Sequence, residues 1–381
     1  MENSQPDRVK KIALYVPSMR GGGAERVMLN LAKGLAAKKI HVDLVLAKAE
    51  GPYLDKAPEA VRIVDLKANR VLKSLPGLVA YLRRERPDAL LSTMLHANII
   101  ALLAKKLAQV PVRVVVREAL GLSEDLDRHS SLRKRMDIAF FRWCYSWADS
   151  IVAVSQGVAD DYMRTLRVPP HRTHVVENAV VTPDLISDSL EEVSHPWFAA
   201  GEIPVILGVG RLNEQKDFPT LLKAFAMMRN RFPARLVILG EGEERPNLES
   251  LSRELGIDKE IQFLGFDINP FKYMAQAAVF VLSSRNEGMP GVLIQAMAVG
   301  TPVVATDCRS GPAEILENGK YGMLVPVGDM EAMAEAICET LAGRGNSRTD
   351  RNALKERASL FSLERSVNRY EVILFPQDSG G

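Results

Sequence analysis

The chain predicts an α/β protein built from two parallel-sheet halves, and three observations carry that prediction. Short β-rich apolar runs alternate with amphipathic stretches from end to end. The alternation breaks once, across residues 178–204, and then restarts. A length of 381 residues with 47% apolar content is long for one domain and ample for two cores.

Taken in order, KIALYVPS reads as a strand, MRGGG as a glycine-rich turn, AERVMLNLAKGLAAK as a helix and HVDLVLA as the next strand. DALLST is a strand leading into a helix near ANIIALLAKKLA. VRVVV and SIVAVS are further strands, the latter followed by a helix at GVADDYMRTL. The stretch NAVVTPDLISDSLEEVSHPWFAAGEIP is rich in proline, acids and small residues, has poor periodicity, and reads as a link. Beyond it VILGVG, LVILG, IQFLG, AVFVLSS, TPVVAT and GMLVPV each precede a helix-compatible segment. The expected organisation is a domain at 1–180, a linker at 181–203 and a second domain at 204–361, with a cleft between the halves.

Composition excludes several classes. A formal charge of +2 is close to neutral, and no basic aromatic stripe covers a domain, so nucleic acid is disfavoured. Cys144, Cys308 and Cys338 lie far apart, match no zinc or disulfide spacing and fit reduced thiols. The polar start MENSQPDRVKK is not a signal peptide, and no apolar run reaches a membrane span, which together predict a cytoplasmic protein.

In open parallel sheets ligands gather at the carboxyl ends of strands, and three such loops stand out. The first, Arg20 to Glu25, contains three glycines before a helix N-terminus. It fits a backbone approach to an anion and equally fits a tight turn. It is not GxGxxG, so a nicotinamide dinucleotide is disfavoured. In the second, GVGRLNEQKDFPTLLKAF, Gly208 and Gly210 end a strand, Asp217 is the expected N-cap and Pro219 fits the first turn. Arg211 and Lys216 between them suit a diphosphate, although a solvated loop would look similar. The third, SSRNEGMPGVLIQAMAVG, places Glu287 in a loop where it can accept from sugar hydroxyls. Pro290 stands near a helix start, the N–H groups of Gly291, Val292 and Leu293 are expected to face the cleft, and Gln295 lies one turn into the helix.

The order of these motifs, followed by GTPVVAT, resembles retaining family 4 glycosyltransferases of the GT-B fold, over nearly the whole chain. VSQGVADDY, VVENAVV, SGPAEIL and YGMLVPVGD add to the likeness. The resemblance implies two facing Rossmann-like domains, the second holding a nucleotide-sugar donor and the first the acceptor. It also implies a C-terminal helix, about residues 362–376, returning to the first domain. Arg211 and Lys216 then fall where the family binds the donor diphosphate, and Glu287 at the first acid of its Glu-x7-Glu motif. Gly22 and Gly23 fall at its phosphate-facing loop. Gly210, Gly288, Met289, Pro290, Gly291, Val292, Leu293 and Gln295 complete the implied donor set.

Two departures accompany the likeness. The second motif acid is Gln295, whose amide still accepts from and donates to ribose hydroxyls but loses a charge-assisted bond worth about 1 kcal/mol. After VRVVV the chain reads Arg117–Glu118–Ala119–Leu120, so no family histidine carries over. His96 and Glu118 are the acceptor-side candidates. The implied activity is retaining transfer from a nucleotide-sugar, with UDP the common choice in the family, to a glycan or lipid-linked saccharide in surface polysaccharide or glycolipid assembly. No metal or other cofactor is expected, and the Asp125–Leu126–Asp127 triplet sits beside no evident strand end. SLRKRMDIAFFRWCYSW fits a peripheral contact with anionic membrane as well as an ordinary helix with a basic edge. A weakly active sugar-nucleotide-binding protein or partner subunit, a GT-B epimerase and a phosphorylase are the rival readings.

Overall fold

The computed structural model describes residues 9–123, 126, 130–199, 203–343 and 350–376. The described chain divides into two compact units, Met1–Ala179 with Leu363–Gly381, and Val180–Ser362.

The first unit carries a seven-stranded sheet of β1 (Lys11–Val16), β2 (His41–Leu46), β3 (Val61–Asp65), β4 (Ala89–Thr93), β5 (Arg113–Glu118), β6 (Ser150–Ala153) and β7 (Thr173–Val175). Its order is β3-β2-β1-β4-β5-β6-β7, and every pairing is parallel. The second unit has six parallel strands, β8 (Val205–Val209), β9 (Arg235–Leu239), β10 (Ile261–Gly265), β11 (Val279–Leu282), β12 (Val303–Thr306) and β13 (Met323–Val325). Their order is β10-β9-β8-β11-β12-β13. Both sheets therefore grow one way from their first strand and then reverse, at β1/β4 and at β8/β11. Central strands such as β4, β11 and β12 are buried at every residue, as parallel strands with both faces covered must be.

Residues 181–199 belong to the second unit and are packed onto it, where the sequence suggested a link. Thr182 caps the short helix Pro183–Asp188, accepting from Leu185 N–H at 3.2 Å. Asn269 Nδ2 donates to the Asp188 carbonyl at 2.8 Å, and His195 Nε2 pairs with Gln262 Oε1 at 2.6 Å. The Phe198 ring meets Tyr273 edge-on at 5.5 Å. Periodicity is poor there because irregular backbone, held by caps and side chains, does the packing.

The helix Leu363–Leu374 belongs to the first unit and lies against the helix Gly23–Ala37. Gly34 makes that approach possible: a Cβ built on it would stand 2.5 Å from Val367 Cγ2. Arg113 Nε donates to the Ile373 carbonyl at 2.8 Å, and Lys38 pairs with Glu371 at 2.5 Å. Overpacking this seam with Gly34→Val is expected to lower stability by about 1–3 kcal/mol in urea unfolding. An unchanged midpoint would contradict the close helix contact.

Candidate donor site at the second sheet reversal

The loops after β8 and β11 leave the sheet at its reversal point, where a crevice forms in doubly wound sheets. Of the contacts that join them, four shape the site. Ser283 Oγ donates to the Lys216 carbonyl at 2.8 Å, Arg285 N–H to the Gln215 carbonyl at 2.8 Å, and Gln215 Nε2 to the Asn286 carbonyl at 3.0 Å. The fourth is the ion pair of Lys216 Nζ with Glu287 Oε1 at 2.5 Å, between side chains only 18% and 8% exposed.

Each partner is held from behind. The Lys216 stem lies over Gly210, where a Cβ would meet its Cγ, Cδ and Cε at 3.3 Å. Gly240, at φ +142°, lets the turn after β9 press directly on the Gly210 carbonyl, which no side chain would allow. Ser284 Oγ donates to the same Glu287 Oε1 at 2.7 Å. The Ser284 carbonyl in turn accepts from Thr306 Oγ1 at 2.6 Å and from Cys308 Sγ at 3.0 Å. Gly311, at φ +91°, packs its bare Cα on the Gly288 carbonyl and Pro290, which brings the SGPAEIL loop against the Glu287 loop.

Among the described residues, the second oxygen of Glu287 has no hydrogen-bond donor. The side chains of Arg211, exposed, and Gln295, 6% exposed, likewise have no partner there. The Asn286 amide oxygen is buried without a donor. The sequence reading gave the side chains of Asn286 and Ser284 no role of their own, although the polar run Ser-Ser-Arg-Asn-Glu directly after a buried strand was the available signal.

Several expected contacts differ in detail. Asp217 stands at the N-cap of the helix Phe218–Met228 in the left-handed region, φ +46°, and does not cap it with its side chain. Its carboxylate instead accepts from Thr220 Oγ1 at 2.9 Å and lies 3.4 Å from Arg285 Nε. The Gly210 N–H donates to Leu239, so Gly210 makes room for Lys216 and offers no donor. Leu293 N–H is taken by the Pro290 carbonyl at 3.1 Å. Gly291 and Val292, the first two residues of the helix Gly291–Ala298, hold positions whose N–H groups lack intrahelical acceptors. Gly288 and Met289 are buried in the turn before it.

In the first unit Gly22 is the N-cap and Gly23 the first residue of its helix, at the β1 end of the other sheet reversal. A Cβ on Gly22 would collide with the Glu25 carboxylate, which folds back over the helix start. His96 is exposed in the first turn of the helix Leu95–Ala108, past β4, not in a loop; the preceding Met94 has φ +75°. Asp125 and Asp127 lie outside the described residues.

Glu118 is a core residue, which corrects its reading as an acceptor contact. It is 2% exposed, and its two oxygens accept from Asn98 Nδ2 at 2.8 Å, Tyr145 OH at 2.5 Å and Tyr162 OH at 2.6 Å. Burial pushes its carboxyl pKa up, against the lowering effect of those donors and Arg117. Arg117, 1% exposed, donates to Thr93 Oγ1 at 2.8 Å and to Asn178 Oδ1. Among the described residues, the buried Arg117 Nε and Tyr370 hydroxyl have no hydrogen-bond partner. Glu118→Ala would strand three buried donors and is expected to cost about 3 kcal/mol or more in urea unfolding, with Glu118→Gln costing less. Near-normal stability of the alanine variant would contradict the core assignment.

Comparison with known proteins follows the same division. A family model described as "Glycosyltransferase Family 4" matches residues 21–183, and one described as "Glycosyl transferases group 1" matches residues 203–343. The chain is 28% identical over 362 residues to the N-acetylgalactosamine-N,N'-diacetylbacillosaminyl-diphospho-undecaprenol 4-alpha-N-acetylgalactosaminyltransferase of Campylobacter jejuni, covering 93% of this chain and 96% of that one. It is 28% identical over 374 residues to the lipopolysaccharide core biosynthesis glycosyltransferase LpsE of Rhizobium meliloti, with the same coverage of 93% and 96%. Among solved structures, Anabaena Alr3699/HepE in complex with UDP aligns with a TM-score of 0.76 at 20% identity, covering 96% of this chain and 99% of that one. That likeness shows the GT-B fold.

Proposed function

From the premise that this chain belongs to glycosyltransferase family 4, we propose that it transfers a sugar from UDP to a lipid-linked saccharide, with retention at the anomeric carbon and without a metal. The observation that carries this reading is the Glu287 carboxylate. One oxygen is fixed by Ser284 and by Lys216, whose stem lies over Gly210, and the other has no donor among the described residues. The free oxygen suits a hydroxyl of the donor sugar. A diphosphate would take over the Lys216 ammonium, with the exposed Arg211 as second cation and the Gly291 and Val292 N–H groups as further donors. Gln295 would meet the ribose.

In this reading the bond from the anomeric carbon to the diphosphate oxygen breaks through an oxocarbenium-like state. Lys216 and Arg211 stabilise the negative charge growing on the departing UDP. The acceptor oxygen bonds to the anomeric carbon on the same face, and its proton passes to the departing phosphate oxygen. No separate base is required, and Glu287 orients the donor sugar. Two cations and helix N–H groups supply the neutralisation that a metal would otherwise give. UDP as carrier is supported by the UDP-bound Anabaena neighbour, and the lipid-linked acceptor by the undecaprenol-diphosphate enzyme of Campylobacter.

Transfer assays on Glu287→Ala, Lys216→Ala and Arg211→Ala are expected to show losses of about tenfold or more each, in folded protein. Normal turnover in all three would remove the site assignment. Proton NMR of the product is expected to show the donor's anomeric configuration, and an inverted product would contradict the mechanism. Gln295→Glu restores a charged acceptor toward the ribose and is expected to tighten donor KM by about tenfold or less.

A further inference from the structure

Ser284 stands just past the end of β11, and the peptide that follows it is held from two sides. The pairing of β11 with β12 ends at Leu282 and Ala305, so the Ser284 carbonyl lies beyond the ladder. Side chains replace the missing backbone donors there. Thr306 Oγ1 donates to that carbonyl at 2.6 Å and Cys308 Sγ at 3.0 Å. A carbonyl can accept both, and the hydroxyl is the stronger donor. The N–H of the same peptide, on Arg285, donates to the Gln215 carbonyl at 2.8 Å. A peptide is planar, so fixing its C=O and its N–H fixes the whole plane and with it the backbone of Ser284. Ser284 and Thr306 are fully buried and Cys308 is 3% exposed, so water does not compete for these bonds.

The set of that plane aims the Ser284 side chain. Its Oγ donates to Glu287 Oε1 at 2.7 Å, the oxygen that Lys216 Nζ also reaches at 2.5 Å. Among the described residues these two groups are the donors to the acid. A diphosphate that draws the ammonium away leaves the Ser284 hydroxyl holding Glu287. The orientation of Glu287 then rests on Ser284, and that of Ser284 on Thr306. Among the described residues the Thr306 hydroxyl meets only the Ser284 carbonyl, the Leu282 carbonyl at 3.4 Å and the Cys308 thiol at 3.5 Å. It bonds neither Lys216 nor Glu287.

We propose that Thr306 is a positioning residue for sugar transfer, acting on Glu287 through the Ser284 peptide from a place that no substrate reaches. The proposal rests on the reading of Glu287 as the acid that orients the donor sugar. Assaying Glu287→Ala beside the Thr306 variants lets the two ideas fail separately.

The test is a double-mutant cycle on kcat for UDP release from UDP-hexoses and UDP-N-acetylhexosamines, with an undecaprenyl-diphosphate saccharide as acceptor, alongside calorimetry of UDP alone. Thr306→Val keeps the volume and removes the hydroxyl, whereas Thr306→Ser keeps the hydroxyl and gives up a buried methyl. The valine variant is expected to lose about two- to tenfold in kcat, the effect of one neutral hydrogen bond, with UDP affinity within about twofold of the wild type. The serine variant is expected to retain kcat despite its poorer packing. In a Ser284→Ala background Thr306→Val should cost little more, because its effect passes through the Ser284 hydroxyl. Losses that multiply in the double variant, a normal kcat in the valine variant, or equal losses in valine and serine variants that follow the unfolding midpoint would each overturn the proposal. Full turnover by Glu287→Ala, or no turnover of any of these donors by the wild type, would instead remove the reading beneath it, and the proposal with it.

Discussion

Lys216 and Glu287 are 71 residues apart in the chain, yet the lysine Nζ donates to a Glu287 carboxylate oxygen because β8 and β11 are neighbours in the sheet. That adjacency is the constraint on which the rest of the site depends. Parallel strands need crossover connections of one hand. A chain that adds β9 and β10 on one side of β8, then β11, β12 and β13 on the other, must send its helices to opposite faces at the reversal. The loops after β8 and β11 then part, and side chains from both fill the gap. Glycines decide what can stand there. Gly210 leaves space for a lysine stem, Gly240 lets the β9 turn support it, and Gly311 brings a third loop behind Glu287.

Two mostly buried acids show how differently one architecture can treat a carboxylate. Glu118 has both oxygens occupied by protein donors and lies at the end of β5, with Arg117 beside it reaching Thr93 and Asn178. The Glu118 oxygens are thus spent on protein donors, and the groups around them hold one another in place. Glu287 has one oxygen occupied, by Lys216 and Ser284, and one without a donor among the described residues. A partly buried ion pair gains little net stability over its desolvation cost. A phosphate that takes the lysine therefore replaces a modest interaction with a stronger one, while Ser284 continues to hold the acid.

Much of this was readable in the sequence, for physical reasons that also mark the limits. Strand ends followed by Gly, a cation and then Pro near a helix start are local patterns, so the loops at Gly210–Pro219 and Ser283–Gly291 could be located, with Arg211, Lys216 and Glu287 in them. The fate of individual polar groups depends on partners distant in sequence. Asp217 looked like a cap but turned to Thr220 and Arg285, and Leu293 spent its N–H on Pro290. Glu118 looked like a site acid because it follows a strand; its three donors come from elements 20, 27 and 44 residues away. Residues 181–199 lacked periodicity because they pack through caps and aromatic edges. The helix Ser131–Tyr145 showed its basic, aromatic composition at once, but that Leu132, Met136, Phe140 and Trp143 stay exposed on it required the packed structure.

If donor binding at the β8/β11 reversal rests on exchanging Glu287 for phosphate at Lys216, one titration reads that exchange. Calorimetry of UDP against the wild type and Lys216→Met, both in EDTA, isolates the lysine from transfer chemistry and from metal. Metal-independent binding by the wild type, weakened about tenfold or more in the variant, is the expected result. Equal affinity in the two proteins would mean that the diphosphate does not use this lysine, and the site would have to be placed elsewhere.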